Sequence, residues 1–169
     1  MFFVRTASEH DLEKVSALLA ATWHATYDAV YGVDKVSEIT AKWHSVQALA
    51  EKLKRKDSEF VVADDGKALG GMGYAAMSAS EPTVAILHQL YVLPQHQGQR
   101  IGRDMFAELE TCFPDAKVMR LEVEPRNTAA IAFYEAHGFE KVGETGNCGG
   151  DQSGSQSGIP ALVYEKTLG

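Results

Sequence analysis

Cysteine is scarce. The two in 169 residues, Cys112 and Cys148, form no Cys-x-x-Cys and have no histidine pair nearby, so neither a redox motif nor a zinc site is written here and a reducing compartment is expected. Clustered positive charge is almost as scarce: 16 Lys and Arg stand against 23 Asp and Glu, a formal net charge of −7. The one basic cluster, Lys52 to Lys56, closes a helix-periodic stretch, where cations suit the negative end of the helix dipole. Nucleic acid is therefore not an expected partner, since phosphate backbones are held by grouped cations. Long apolar runs are missing too. The opening Met1-Phe2-Phe3-Val4-Arg5 turns polar by Ser8, and nothing approaches the roughly 20 apolar residues of a membrane span, so a cytoplasmic protein without membrane contact is expected. The six histidines share no helix face and no His-x-x-x-His spacing, and no metal is expected.

What is present is an ordinary globular composition, 45% hydrophobic, at a length that fits one domain spanning residues 1–169 and burying roughly 70% of its unfolded surface. Phe2 to Thr6 reads as a strand. Leu12, Val15, Leu19 and Trp23 recur at helical spacing, and Ile39, Trp43, Val46, Leu49 and Leu53 carry a second helix. Phe60 to Ala63 and Leu69 to Met77 read as strands joined by a tight Asp-Gly turn. Val84 to Val92 is the next strand, closed by Pro94. Ile101, Met105, Leu109 and Cys112 predict a helix stopped by Pro114, Val118 to Val123 a strand, and Thr128 to His137 a helix ended by Gly138 as a left-handed cap. Phe139 to Val142 and Ala161 to Thr167 close the chain as strands around 146–158, a Gly/Ser-rich stretch read as a mobile loop. The expected class is α/β, strands first and then a βαβα segment.

The chemistry concentrates in Leu90-Tyr91-Val92-Leu93-Pro94-Gln95-His96-Gln97-Gly98-Gln99-Arg100-Ile101-Gly102-Arg103. A strand runs into a Gly-containing loop and then into a helix, which aims backbone N–H groups and a positive helix end at one small volume. Such a volume suits an anion, with Arg100 and Arg103 as countercharges. No Gly-Lys-Ser/Thr and no Gly-x-Gly-x-x-Gly accompanies it.

Downstream stands Asn127-Thr128-Ala129-Ala130-Ile131-Ala132-Phe133-Tyr134-Glu135-Ala136-His137-Gly138-Phe139. Together with the loop it resembles the GNAT superfamily of acyl-coenzyme A dependent N-acetyltransferases, whose motifs are Gln/Arg-x-x-Gly-x-Gly/Ala and Asn-x-x-Ala-x-x-Phe-Tyr-x-x-x-Gly-Phe. The second motif matches at every specified position. The first fits through Gln97, Gly98, Gln99, Arg100, Ile101 and Gly102, with Arg100 where the family usually has its first glycine. The resemblance covers Ile86 to Phe139 and implies a mixed, mostly antiparallel twisted sheet of about seven strands with about four helices. It also implies acetyl-CoA as cosubstrate and is compatible with a homodimer.

Acetyl transfer needs an oxyanion donor, an acid for the departing sulfur and an acceptor for the amine proton. By resemblance the Val92 N–H is the donor and the Tyr134 phenol the acid. Leu90, Tyr91, Asn127, Ala130 and Phe133 join the loop residues as coenzyme contacts, although Phe133 also reads as core. The commonest strand carboxylate is missing, since Ile86 and Leu87 are apolar. Glu124, alternating with Val123 so as to point off the apolar face, is narrowly preferred as base over His88. Acceptor selectivity falls to the first two helices and the last loop: Trp23, Tyr27 and His44, with His88, are the candidates, although Trp23 and Trp43 on the apolar stripes read more safely as core, and His24 and His44 lie one position off those stripes. The stretch around Thr22-Trp23-x-x-Thr26-Tyr27 is similar to a bacterial subgroup that includes polyamine acetyltransferases, which implies a polyamine such as spermidine as acceptor, with small amines, antibiotics and peptide N-termini as open alternatives. An acyl-CoA binding module without catalysis is the alternative, and a ligand-free scaffold is a third reading.

Overall fold

The structure is a computed structural model and describes residues 1–145 and 160–169; the stretch 146–158, with Cys148, lies outside the described residues. The described residues form seven strands and five helices. In chain order the strands are β1 (Phe3–Thr6), β2 (Ser58–Asp64), β3 (Leu69–Met77), β4 (Val84–Val92), β5 (Val118–Val123), β6 (Glu140–Thr145) and β7 (Ala161–Thr167). The helices are α1 (Leu12–Tyr31), α2 (Val33–Trp43), α3 (Val46–Lys54), α4 (Ile101–Glu110) and α5 (Thr128–Ala136). The strands make one sheet in the order β1-β2-β3-β4-β5-β7-β6. Within it β1–β2, β5–β7 and β6–β7 pair antiparallel, whereas β4 and β5 are parallel. A parallel pair needs a crossover, and the chain makes it through α4. No helix among the described residues is long and apolar enough to cross a membrane. The chain divides into two compact units, Met1–Tyr74 with Gln89–Cys112 and Ala75–His88 with Phe113–Gly169.

In the first unit α1 buries Leu12, Val15, Leu18, Leu19, Thr22 and Tyr27. The single second helix expected from Ile39 to Leu53 is two. Ser45 takes an extended backbone, ψ 156°, and its hydroxyl accepts the Ala48 N–H at 3.1 Å, capping α3, while α2 ends with the His44 N–H on the Thr40 carbonyl at 2.9 Å. A serine cap outcompetes continuation of the helix and resets its phase. Val46, expected on the buried stripe, is consequently exposed, and five helices replace about four. The hairpin between β2 and β3 closes as expected: the Asp65 N–H reaches the Ala68 carbonyl at 3.2 Å, Gly66 has φ 94°, and Asp65 Oδ1 accepts the Lys67 and Ala68 N–H groups at 2.8 Å each. Arg5 anchors β1 by donating to Asp11 at 2.8 Å and Asp64 at 3.0 Å.

The seating of α4 depends on glycines of β3. A Cβ on Gly71 would lie 2.8 Å from both Met105 Cε and the Tyr91 carbonyl oxygen, and one on Gly73 would lie 2.9 Å from Leu109 Cδ1. Residues without a side chain let Ile101, Met105 and Leu109, all buried, come this close to the sheet. The start of α4 is fixed by this packing.

In the second unit β4 and β5 pair from Val84↔Val118 to Leu87↔Leu121. β5 alternates cleanly, with Met119, Leu121 and Val123 buried and Arg120 and Glu122 half-buried. Arg120 donates through Nε to Glu165 at 2.7 Å and through its terminal nitrogens to Glu81, tying β5 to β7 and to the turn before β4. α5 ends where Gly138 takes φ 95°, and Phe139 returns into the core, 2% exposed.

Candidate active site

Beyond Val92 the chain makes a short turn, Pro94–His96, and an exposed segment from Gln97 to Arg100 before α4 begins. The Leu93 N–H is held by the Gly70 carbonyl at 2.9 Å, and the Gln97 amide donates to the Val92 carbonyl at 3.4 Å, bracing the loop against the end of β4. Gly98 has φ 84°. Arg100 stands at the N-cap of α4 with φ 65° and ψ 13°, the left-handed conformation that glycine adopts freely and that costs other residues about 1–2 kcal/mol. The arginine thus carries a backbone of the kind glycine supplies most readily. The first bond of α4 runs from the Asp104 N–H to the Arg100 carbonyl at 3.0 Å, so the N–H groups of Ile101, Gly102 and Arg103 precede it and have no acceptor within the helix. N–H groups of this kind, with the helix dipole behind them, favour a negative charge. Ile101 is buried to 4% exposure, so its part in such a site belongs to its backbone. The guanidiniums of Arg100 and Arg103 belong to exposed residues.

The acceptor candidates of the same unit form an aromatic cluster. The Trp23 ring is 4.6 Å from Tyr27 and 5.5 Å from His44 between centroids. His44, expected one position off the apolar stripe and near a pocket rim, is instead buried to 4% exposure, because the turn at Ser45 folds it inward. Burial, aided by the charge of Lys52, pushes its imidazole down to about 4. Tyr27 is buried as well, and Trp23 and Trp43 are half-buried. His24 faces Asp28, 2.6 Å away, and Ser37 Oγ at 3.4 Å.

The second unit contains His88, Glu124, Asn127, Ala130, Phe133 and Tyr134. Asn127 caps α5, its Oδ1 accepting the Ala130 N–H at 3.3 Å. Tyr134 is half-buried between two aromatic edges, 5.6 Å from Phe133 and 5.6 Å from Phe139. Phe133 is half-buried rather than core, stacked on His137 at 4.1 Å. His88 is half-buried on β4. Glu124 does not point out to solvent as its alternation with Val123 suggested; β5 ends at Val123, and the carboxylate folds back at 3% exposure onto the Arg126 N–H at 2.6 Å and Arg126 Nε at 2.9 Å. The sequence held a signal for this clasp in Pro125, which bends the chain directly after Glu124. The Glu81–Arg120–Glu165 cluster had no signal of comparable strength, since its members are distant in the chain. No group of three or more His, Cys, Asp or Glu that could hold a metal occurs among the described residues.

The family model described as Acetyltransferase (GNAT) family matches residues 19–139, well over half of the sequence. The chain belongs to that family. It is accordingly an acetyltransferase using acetyl-CoA as cosubstrate. Over 97 residues the chain is 34% identical to the N-alpha-acetyltransferase RimI of Mycobacterium tuberculosis, covering 57% of this chain and 61% of that relative. Over 148 residues it is 26% identical to the spermidine N(1)-acetyltransferase of Thermoplasma acidophilum, covering 84% and 89%. Its fold is like that of the PaiA N-acetyltransferase of Thermoplasma acidophilum solved in complex with coenzyme A, with a TM-score of 0.83, 22% identity and 99% of each chain covered.

Proposed function

We propose that this family member acetylates a primary amine, either a small amine or polyamine or a peptide N-terminus, by direct attack of the amine on the thioester within a ternary complex. The observation that carries the reading is the start of α4, where the N–H groups of Ile101, Gly102 and Arg103 come ahead of the first helical bond and the exposed residues Arg100 and Arg103 flank them in the chain. The coenzyme's diphosphate would be held there by the backbone of Ile101, Gly102 and Arg103 and by Gln97, Gly98, Gln99 and Arg100. Leu90, Tyr91, Val92, Asn127, Ala130 and Phe133 would contact the rest of the coenzyme, with the Val92 N–H receiving the developing oxyanion.

As the amine nitrogen bonds to the carbonyl carbon and the carbon–sulfur bond breaks, the Tyr134 phenol would protonate the sulfur. His88 would accept the amine proton, because Glu124 is buried at 3% exposure under its bonds from Arg126, whereas His88 is half-buried. A covalent acetyl-cysteine route has no support in Cys112: burial pushes its thiol up, away from the reactive thiolate, and its Sγ donates to the Glu108 carbonyl at 3.1 Å. Trp23, Tyr27 and His44 would shape the acceptor side from within, and the spermidine and N-alpha relatives support an amine as acceptor.

The test is thiol release from acetyl-CoA against a panel of polyamines, monoamines and peptides with free N-termini. Amine-dependent release supports the reading and names the acceptor. Coenzyme binding with no release across the panel would favour a binding module instead.

A further inference from the structure

We propose that Glu124 is a positioning residue, one that builds the turn into α5 and so sets Asn127 and Tyr134; this rests on the reading of Tyr134 as the acid. Glu124 is the first residue after β5 and is 3% exposed, while the Arg126 side chain that covers it is 57% exposed. A proton acceptor must be open to the amine it serves, and a carboxylate 3% exposed is closed to it. Here one oxygen takes the Arg126 backbone N–H at 2.6 Å and the other takes Arg126 Nε at 2.9 Å, both charge-assisted and therefore among the stronger bonds of their kind.

What these bonds hold is specific. Pro125 fixes its own φ and keeps Glu124 extended, so the chain must turn within Arg126 and Asn127. The Glu124 carbonyl accepts the Asn127 N–H at 3.0 Å, and the Arg126 carbonyl accepts the Thr128 N–H at 2.9 Å. Asn127 Oδ1 then caps Ala130 at 3.3 Å, and the Asn127 carbonyl takes the first helical bond from Ile131 at 3.1 Å. A continuous series of bonds thus runs from the buried carboxylate to the first turn of α5, the helix that carries Tyr134. Only two residues separate the carboxylate from Asn127, so loosening the one displaces the other. Misplacing a reacting group by about 1 Å can cost on the order of 100-fold in rate, so a residue that touches neither substrate nor coenzyme can govern turnover here.

The experiment compares Glu124→Ala, Glu124→Gln, Arg126→Met and Tyr134→Phe, and the Glu124→Ala/Tyr134→Phe pair, by kcat and KM across pH and by amide hydrogen exchange at Ala130 and Ile131. Expected for Glu124→Ala is a kcat loss of about tenfold or more, unshifted limbs of the pH profile, and faster exchange at both amides. Arg126→Met, which leaves the carboxylate in place, moves both readouts in the same direction by less. Glu124→Gln keeps an oxygen for the Arg126 N–H and restores most of each. In the Tyr134→Phe background Glu124→Ala costs little further kcat, because the two act through one helix. Unchanged exchange in Glu124→Ala overturns the proposal whatever Tyr134→Phe does. So does a Glu124→Gln as inactive as Glu124→Ala with its acidic limb gone, the mark of a base. A fully active Tyr134→Phe, by contrast, removes only the acid role of Tyr134.

Discussion

Acid should unfold this protein through one histidine before it does so through carboxylates. His44 has an ordinary value of 6.5 and is pushed down to about 4 in the folded chain by burial and by the Lys52 charge. Between those values the unfolded chain binds a proton that the folded chain refuses, so stability falls as pH drops from 6.5 toward 4 and is fully present above 6.5. Each pH unit crossed between the two values removes about 1.36 kcal/mol, so moving from pH 7.5 to 4.5 costs about 2–3 kcal/mol from this residue alone. That is a large share of the roughly 5–15 kcal/mol of an ordinary domain. Asp11, held at about 2 by Arg5 against an ordinary 3.8, contributes stability that is lost only below 3.8, outside this window. Urea unfolding at the two pH values, with wild type and His44→Phe, isolates the effect. The wild type should lose the 2–3 kcal/mol and the variant nearly none of it. An equal loss in both proteins, or a wild type as stable at pH 4.5 as at 7.5, would refute the reasoning.

Arg100→Gly separates backbone from charge. It relieves a left-handed arginine at about 1–2 kcal/mol against roughly 0.5–1 kcal/mol of added glycine freedom, so thermal unfolding should shift slightly upward while coenzyme A binding by calorimetry weakens and loses part of its salt dependence. Gly71→Ala should destabilise by about 1–3 kcal/mol, since its Cβ would meet a backbone carbonyl as well as a flexible methionine at 2.8 Å; denaturant titration reads this, and a neutral result would mean that β3 and α4 are less closely seated than described.

The strands were legible where a local signal marks both ends. β4 stops against Pro94, β5 alternates without interruption from Val118 to Val123, and both have the expected bounds. Gly138 likewise announced its left-handed turn. The break between α2 and α3 was hidden because Ile39, Trp43, Val46, Leu49 and Leu53 keep a helical period straight across it, and periodicity says nothing about a serine that caps from within the run. The inward turn of His44 follows from that break and was hidden with it. Motif spacing located the loop before α4 and the helix after Asn127, and the left-handed backbone of Arg100 shows why glycine suits that position. The engagement of Glu124 was beyond reach of alternation, which holds only as far as the strand does.

A crystal structure of the protein with coenzyme A bound bears most directly on the role of the α4 N-terminus. The diphosphate should lie about 3 Å from the N–H groups of Ile101, Gly102 and Arg103, within reach of the Arg100 guanidinium. A diphosphate seated anywhere else, with the start of α4 facing only water, would contradict that role.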